Sequence, residues 1–272
     1  MIQIENLRFG YGKRNPVFQN FSLVLEPGGI YGLLGKNGTG KTTLLYIMCG
    51  LLRPQGGTVR LSGLPAAARK VETLQDVFLV PEEFKLPKMP LRQYVSLNRG
   101  FYPRFSEDIL RQCLADFGLS ENLRLGQLSM GQTKKALMSF ALATQARFLL
   151  MDEPTNGLDI PAKSDFRKVV AQHMGGEQTL IVSTHQVRDI DSLLDHVVII
   201  DGSRLLLSKS VAEVTSELVF EECPAGESVD GALYTQPSVG GHSIVRRNKG
   251  GEASPLNLEL LFNYVVREGR SN

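Results

Sequence analysis

The 272-residue chain sets 30 Lys and Arg against 28 Asp and Glu, a formal charge of +2, and so lacks the basic field that binding nucleic acid would require. Its three cysteines, Cys49, Cys113 and Cys223, are widely spaced without metal-ligand spacing and read as buried thiols of a reducing compartment. No uninterrupted apolar run approaches the roughly 18 residues of a membrane helix, and Met1–Glu5 lack a signal peptide's basic and apolar regions, so a cytoplasmic protein is expected.

The length suits one large α/β domain with a small appendage. Ile2 to Phe9 alternates and predicts a strand, with Tyr11 in a following turn between Gly10 and Gly12. An aromatic there is either a chance exposure or a surface for stacking on a flat base. Phe21 to Leu25 predicts a second strand, and Glu26-Pro27-Gly28-Gly29 turns the chain into a third, Ile30 to Leu34.

That third strand runs into Gly35-Lys36-Asn37-Gly38-Thr39-Gly40-Lys41-Thr42-Thr43, followed by an apolar helix expected to reach Leu52. The order strand, glycine loop, helix is the arrangement of a phosphate cradle. Gly35, Gly38 and Gly40 let backbone N–H groups turn inward, and the helix start adds a partial positive charge. Lys41 is placed to reach the terminal phosphates of a nucleotide, and Thr42 to ligate magnesium.

Arg53 to Gly57 is expected to end that helix, ahead of a strand from Thr58 to Leu61. Val77 to Val80 predicts a compact buried strand ending at Pro81-Glu82-Glu83. A proline-broken helical segment follows, within an insertion over about 84–146, with helices from Leu91 to Asn98 and from the Ser106 cap to Phe117. Its exposed loop is a candidate for docking a partner. Leu128-Ser129-Met130-Gly131-Gln132 opens a long helix to about Ala146. Ser129 and Gly131 form a second helix start suited to an anion, or an ordinary cap.

Phe148 to Met151 is apolar on both faces, as a central parallel strand must be, and ends in Asp152-Glu153. A helix from Pro161 to Met174 leads to the buried strand Thr179 to Thr184, with His185 at its end. Val197 to Ile200 and Arg204 to Leu207 read as an edge hairpin. After Ser210 come short pieces (Leu218–Glu221, Ala232–Thr235, Ser243–Arg247) and an amphipathic helix from Leu256 to Arg267.

Ligands of a parallel α/β sheet collect at the carboxyl ends of its strands, where the Gly35 loop, Glu82, Asp152, Glu153 and His185 are all expected. Asp152 is placed to hold magnesium and Glu153 to polarise a water for attack on the γ-phosphate. One phosphate loop supplies its own helix start, so the Ser129 start would serve a second chain related by a two-fold axis.

Together these residues resemble the ATP-binding subunit of ABC transporters, over about Met1 to Ser210. Gly35 to Thr42 is similar to the Walker A loop, Leu128 to Gln132 to the L-S-G-G-Q signature, and Phe148 to Glu153 to Walker B with the catalytic glutamate. Asn156-Gly157-Leu158-Asp159 resembles the D-loop, His185 the switch histidine, and Tyr11 the aromatic that stacks on adenine.

The resemblance implies a P-loop NTPase fold: a mostly parallel sheet core with an N-terminal antiparallel part, the helical insertion and a small α/β appendage over 211–272. It implies two subunits sandwiching two ATP molecules with Mg2+. Ser129, Gly131 and Gln132 of one chain would complete the site built on Lys36 to Thr43, Glu82 and Asp159 of the other. The second subunit would be another copy or a related ATPase, and transmembrane permease subunits would hold the pair at the inner face of the cell membrane. Pro255 to Phe262 is similar to the closing helix of ATPases serving ABC-2 type exporters, and Phe101 to Phe105 points to a drug-efflux subgroup.

Two positions depart from the family pattern. Glu82 stands where the family has the Q-loop glutamine, and Met130 replaces the first signature glycine. A carboxylate at 82 can ligate magnesium, and it adds negative charge near the γ-phosphate.

Overall fold

A computed structural model describes residues 1–12, 15–250 and 254–271. The chain opens with β1 (Ile2–Gly12) and β2 (Asn15–Leu25), an antiparallel pair that places Ile2 beside Leu25 and Phe9 beside Phe18. With β4 (Gly56–Leu61) and β5 (Leu64–Pro65) they form a four-stranded antiparallel sheet in the order β2-β1-β4-β5. Tyr11 lies within β1 and not in a turn, because the ladder continues past Gly10 to pair Gly12 with Asn15.

The central sheet holds β3 (Ile30–Leu34), β6 (Val77–Val80), β7 (Phe148–Asp152), β8 (Thr179–Thr184), β9 (His196–Asp201) and β10 (Arg204–Ser210). Their order is β10-β9-β3-β8-β7-β6, parallel except for the antiparallel edge strand β10. Each of β3, β7 and β8 is buried at every residue, which is why they read as continuous apolar runs.

Successive side chains of these strands point to opposite faces and so feed two cores. Leu33, Leu150 and Ile181 pack with Leu44, Leu45 and Met48 under the antiparallel sheet. Leu34, Met151 and Val182 pack with Met138, Leu142 and Phe166 on the other face.

Helix α1 (Lys41–Met48) lies on the first face. It stops at Met48 and not at Leu52: Gly50 takes a φ of 71°, and the Cys49 and Gly50 N–H groups bond the Leu45 and Ile47 carbonyls. Gly56 and Gly57 accordingly begin β4 instead of ending a helix. The short α2 (Val71–Leu74) precedes β6.

The insertion carries α3 (Leu91–Asn98), α4 (Glu107–Asp116) and α5 (Met130–Ala143). Leu91, Val95, Leu110, Leu114 and Phe140 close a separate small core there. Ser106 caps α4 by accepting the Ile109 N–H, as its position suggests. α6 (Ile160–His173) links β7 to β8.

The tail comprises α7 (Val211–Glu217), the antiparallel sheet of β11 (Leu218–Pro224), β12 (Tyr234–Ser238) and β13 (Gly241–Arg247), and the closing α8 (Leu258–Ser271). Leu258, Leu260, Leu261 and Val266 of α8 share one core with Val182, Val187, Ile190 and Leu194. Arg188 Nε donates to Glu259 Oε2 at 2.6 Å, so the tail leans on the segment just after His185.

Candidate nucleotide site

Strand register brings the site together. Leu34, the last residue of β3, pairs with Thr184, while Asp152 pairs with Ser183 and Val80 with Met151. The carboxyl ends of four adjacent parallel strands therefore present the Gly35 loop, Ser183-Thr184-His185, Asp152-Glu153 and Glu82 along one line.

The loop itself is shaped by glycine. Gly38 and Gly40 have φ of 80° and 99°, and Gly40 forms the N-terminal boundary of α1 without any side-chain cap. The first N–H groups of α1 are thus left to an anion. Thr39 Oγ1 donates to the Lys36 carbonyl at 2.8 Å and fixes the turn, with Lys36, Asn37 and Gly38 exposed at its tip.

Lys41 Nζ donates to the Gly35 carbonyl at 2.8 Å and to Lys36 O at 3.3 Å. Burial pushes its pKa down, against the pull of Glu153, Asp152 and Glu82. An ammonium held dry beside carbonyls and carboxylates is well placed for a polyphosphate.

Asp152 and Glu153 are each held by a hydroxyl from β8. Ser183 Oγ donates to Asp152 Oδ1, and Thr184 Oγ1 donates to Glu153 Oε2 at 3.0 Å. Burial raises the Asp152 pKa, opposed by the nearby Ser183 and Thr42 hydroxyls. Its Oδ2 is buried with no hydrogen-bond partner. A buried, unpaired carboxylate oxygen beside a threonine hydroxyl fits a hard divalent cation. Among the described residues no cluster of three or more His, Cys, Asp or Glu could hold a metal by itself, so such an ion would need oxygens from the nucleotide.

Glu153 sits at a φ of 44°, a left-handed conformation rare outside glycine. Its N–H donates to Ser183 O at 3.0 Å, and His185 Nδ1 lies 2.8 Å from its Oε1. An ionised carboxylate only accepts, so the ring N–H is the donor in that pair. Tyr11 meets the helix side of the loop, with its hydroxyl 3.1 Å from Thr43 Oγ1 and the residue 67% exposed.

Glu82 Oε1 accepts from Asn156 Nδ2 at 2.7 Å, tying the end of β6 to the turn after β7. Other expected residues do not reach the loop. Ser129 and Gln132 form a reciprocal capping box at the start of α5, in which Ser129 Oγ accepts the Gln132 N–H and Gln132 Oε1 accepts the Ser129 N–H. Gly131 lies in the same exposed turn, and Asp159 Oδ1 accepts the Ala162 N–H as the cap of α6. Among the described residues no hydrogen bond joins Ser129, Gln132 or Asp159 to the phosphate loop.

Sequence reasoning passed over Ser183, Thr184 and Lys134. Two adjacent hydroxyls ending a buried strand, in a chain where the neighbouring strand ends in two acidic residues, were the available signal for the first two. Lys134 gave none, because a lysine on a helix ordinarily faces water.

Comparison with known proteins gives the family. The ABC transporter family model matches residues 18–156. An ABC transporter ATP-binding protein of Synechocystis sp. is 30% identical over 234 residues, covering 81% of this chain and 78% of that protein. The Nod factor export ATP-binding protein I of Cupriavidus metallidurans is 30% identical over 210 residues, covering 75% of this chain and 69% of that protein. A solved ATP-binding subunit of an ABC transporter shares the fold with a TM-score of 0.69 at 22% identity, covering 78% of this chain and 91% of that one. No described helix is long and apolar enough to cross a membrane. The chain belongs to the ABC transporter family, as one of its ATP-binding subunits.

Proposed function

We propose that the chain hydrolyses ATP to ADP and phosphate and that this drives an exporter through permease subunits. The observation carrying the reading is Glu153: its carboxylate is held on both oxygens, by Thr184 and His185, 3.8 Å from the buried Lys41 ammonium. Each carboxylate oxygen retains a free lone pair, enough to accept a proton from water.

The phosphate loop and Lys41 bind the triphosphate, and Tyr11 offers a ring to the base. Glu153 takes a proton as water adds to the γ-phosphorus, the bond to the β–γ bridging oxygen breaks, and ADP departs with that electron pair. His185 orients Glu153 and contacts the γ-phosphate. Thr42 and Asp152, with Glu82, would hold Mg2+. When bound, that ion would neutralise charge on the phosphate oxygens. Lys41, the loop N–H groups and the helix start supply this chain's own share of that neutralisation.

The exposed capping box of α5 supports a head-to-tail dimer in which Ser129, Gly131 and Gln132 meet the partner's nucleotide, with Asp159 close to the same junction. Export is favoured by the resemblance of Pro255 to Phe262 and by the export role named for the Cupriavidus relative. The test is ATP turnover with magnesium by wild type and Glu153→Gln, with mass followed by light scattering. Slow wild-type turnover, none in the variant and an ATP-dependent dimer of the variant are expected. A wild type without turnover overturns the reading.

A further inference from the structure

Lys134 is only 6% exposed, although it lies on the helix that the signature segment opens. Its Nζ donates to the backbone carbonyls of Glu153 at 3.2 Å and Asn156 at 2.7 Å. Those carbonyls bracket the turn that follows β7, and the first belongs to the residue with the left-handed φ of 44°. The Asn156 side chain in turn donates to Glu82. Glu82, Lys134, Asn156 and Met130 line one cleft of about 620 Å³.

We propose that Lys134 is a positioning residue. Its ammonium pins the backbone of Glu153 to α5 and supplies the counter-charge that lets a glutamate stand at position 82.

The proposal rests on the ATPase reading above and goes beyond it. A buried lysine costs free energy unless its charge is used, and a neutral side chain would fill the space more cheaply. Here three features use it. Two carbonyls accept from Nζ, and Glu82 leads the acidic neighbours that offset the effect of burial on Lys134, ahead of Glu153 and Asp152. The Glu153 backbone is held in a conformation that a non-glycine residue adopts only when its surroundings enforce it. Because Lys134 lies about one and a half turns along α5 from Ser129, a movement of the helix start is passed to the turn bearing Glu153 by one side chain.

The arrangement also accounts for Glu82. Without the ammonium, a half-buried carboxylate would face Asp152 and Glu153 with the Asn156 amide and a Lys41 ammonium already shared with those two acids to meet it. The two positions should therefore be coupled: loss of the Lys134 charge should matter less once Glu82 is made neutral.

The experiment is steady-state ATP hydrolysis with magnesium, giving kcat and KM separately, for wild type, Lys134→Met, Lys134→Gln, Glu82→Gln and the Glu82→Gln/Lys134→Gln double variant. Thermal melts establish that each is folded. For Lys134→Met, kcat is expected to fall by about tenfold to a hundredfold while KM for ATP stays within about threefold, the signature of a misplaced general base and not of lost binding. Lys134→Gln should cost at least about threefold less in the Glu82→Gln background than in wild type, and this comparison decides the matter if Lys134→Met does not fold.

A Lys134→Met kcat within twofold of wild type, or an equal cost of Lys134→Gln in both backgrounds, overturns the proposal alone. Absence of turnover in the wild type overturns the functional reading, and the proposal falls with it.

Discussion

Lys41 Nζ and Glu153 Oε1 lie 3.8 Å apart, and both side chains are buried. The proposed phosphate ligand and the proposed base thus share one dry pocket. An incoming γ-phosphate would compete with Glu153, and with the Gly35 and Lys36 carbonyls, for the same ammonium. Lys41→Ala should weaken ATP binding by at least about tenfold, the cost of losing one charge-assisted hydrogen bond. Titration with a fluorescent ATP analogue checks this, and unchanged affinity would remove Lys41 from the site.

His185→Ala removes the donor to Glu153 Oε1 but leaves Thr184 on Oε2. The expected result is a fall in kcat on the order of a hundredfold with a smaller rise in KM, because the base loses its orientation and the γ-phosphate loses one contact. A variant that instead raises KM alone would place His185 in ground-state binding.

Asp152 gives a pH-dependent prediction. Burial raises its pKa, so the folded chain keeps this proton at pH values where the unfolded chain has lost it. Stability from this group falls as pH rises through that window, and at neutral pH the ionised carboxyl carries its full cost. Asp152→Asn should therefore melt at a higher temperature than wild type at neutral pH in the presence of a chelator. The gap should close on acidification, as the wild-type carboxyl takes up its proton and becomes neutral too. A gap that widens on acidification would contradict the raised pKa.

Gly40→Ala tests the loop's backbone. A Cβ there would stand 2.7 Å from Val17 Cγ1 and 2.8 Å from Phe18 Cζ, at a φ of 99°. Phe18 is fully buried and has nowhere to move. A loss of about 1–3 kcal/mol in urea unfolding is expected.

The central sheet was legible because burial on both faces leaves an unmistakable apolar run: Ile30 to Leu34, Phe148 to Met151 and Thr179 to Thr184 are all strands. The glycine loop was equally plain, since its geometry demands its residues. What sequence concealed was tertiary. Tyr11 stays in β1 because pairing with β2 outlasts the glycines that suggested a turn. α2 and α7, at four and seven residues, are too short to show a helical period. Lys134 is buried only because the Glu153 and Asn156 carbonyls, 19 and 22 residues further along the chain, fold back to meet it.

The leaning of α8 on the residues after His185 sets a condition for chimeras of this chain. Val187, Ile190 and Leu194 on one side, and Leu258, Leu260 and Leu261 on the other, are two halves of one mould. A graft that exchanges everything after Ser210 for a relative's ending would bring one half without its match, and Arg188 would lose Glu259. Residues 187–194 belong with the ending they press against, so a working exchange must carry both.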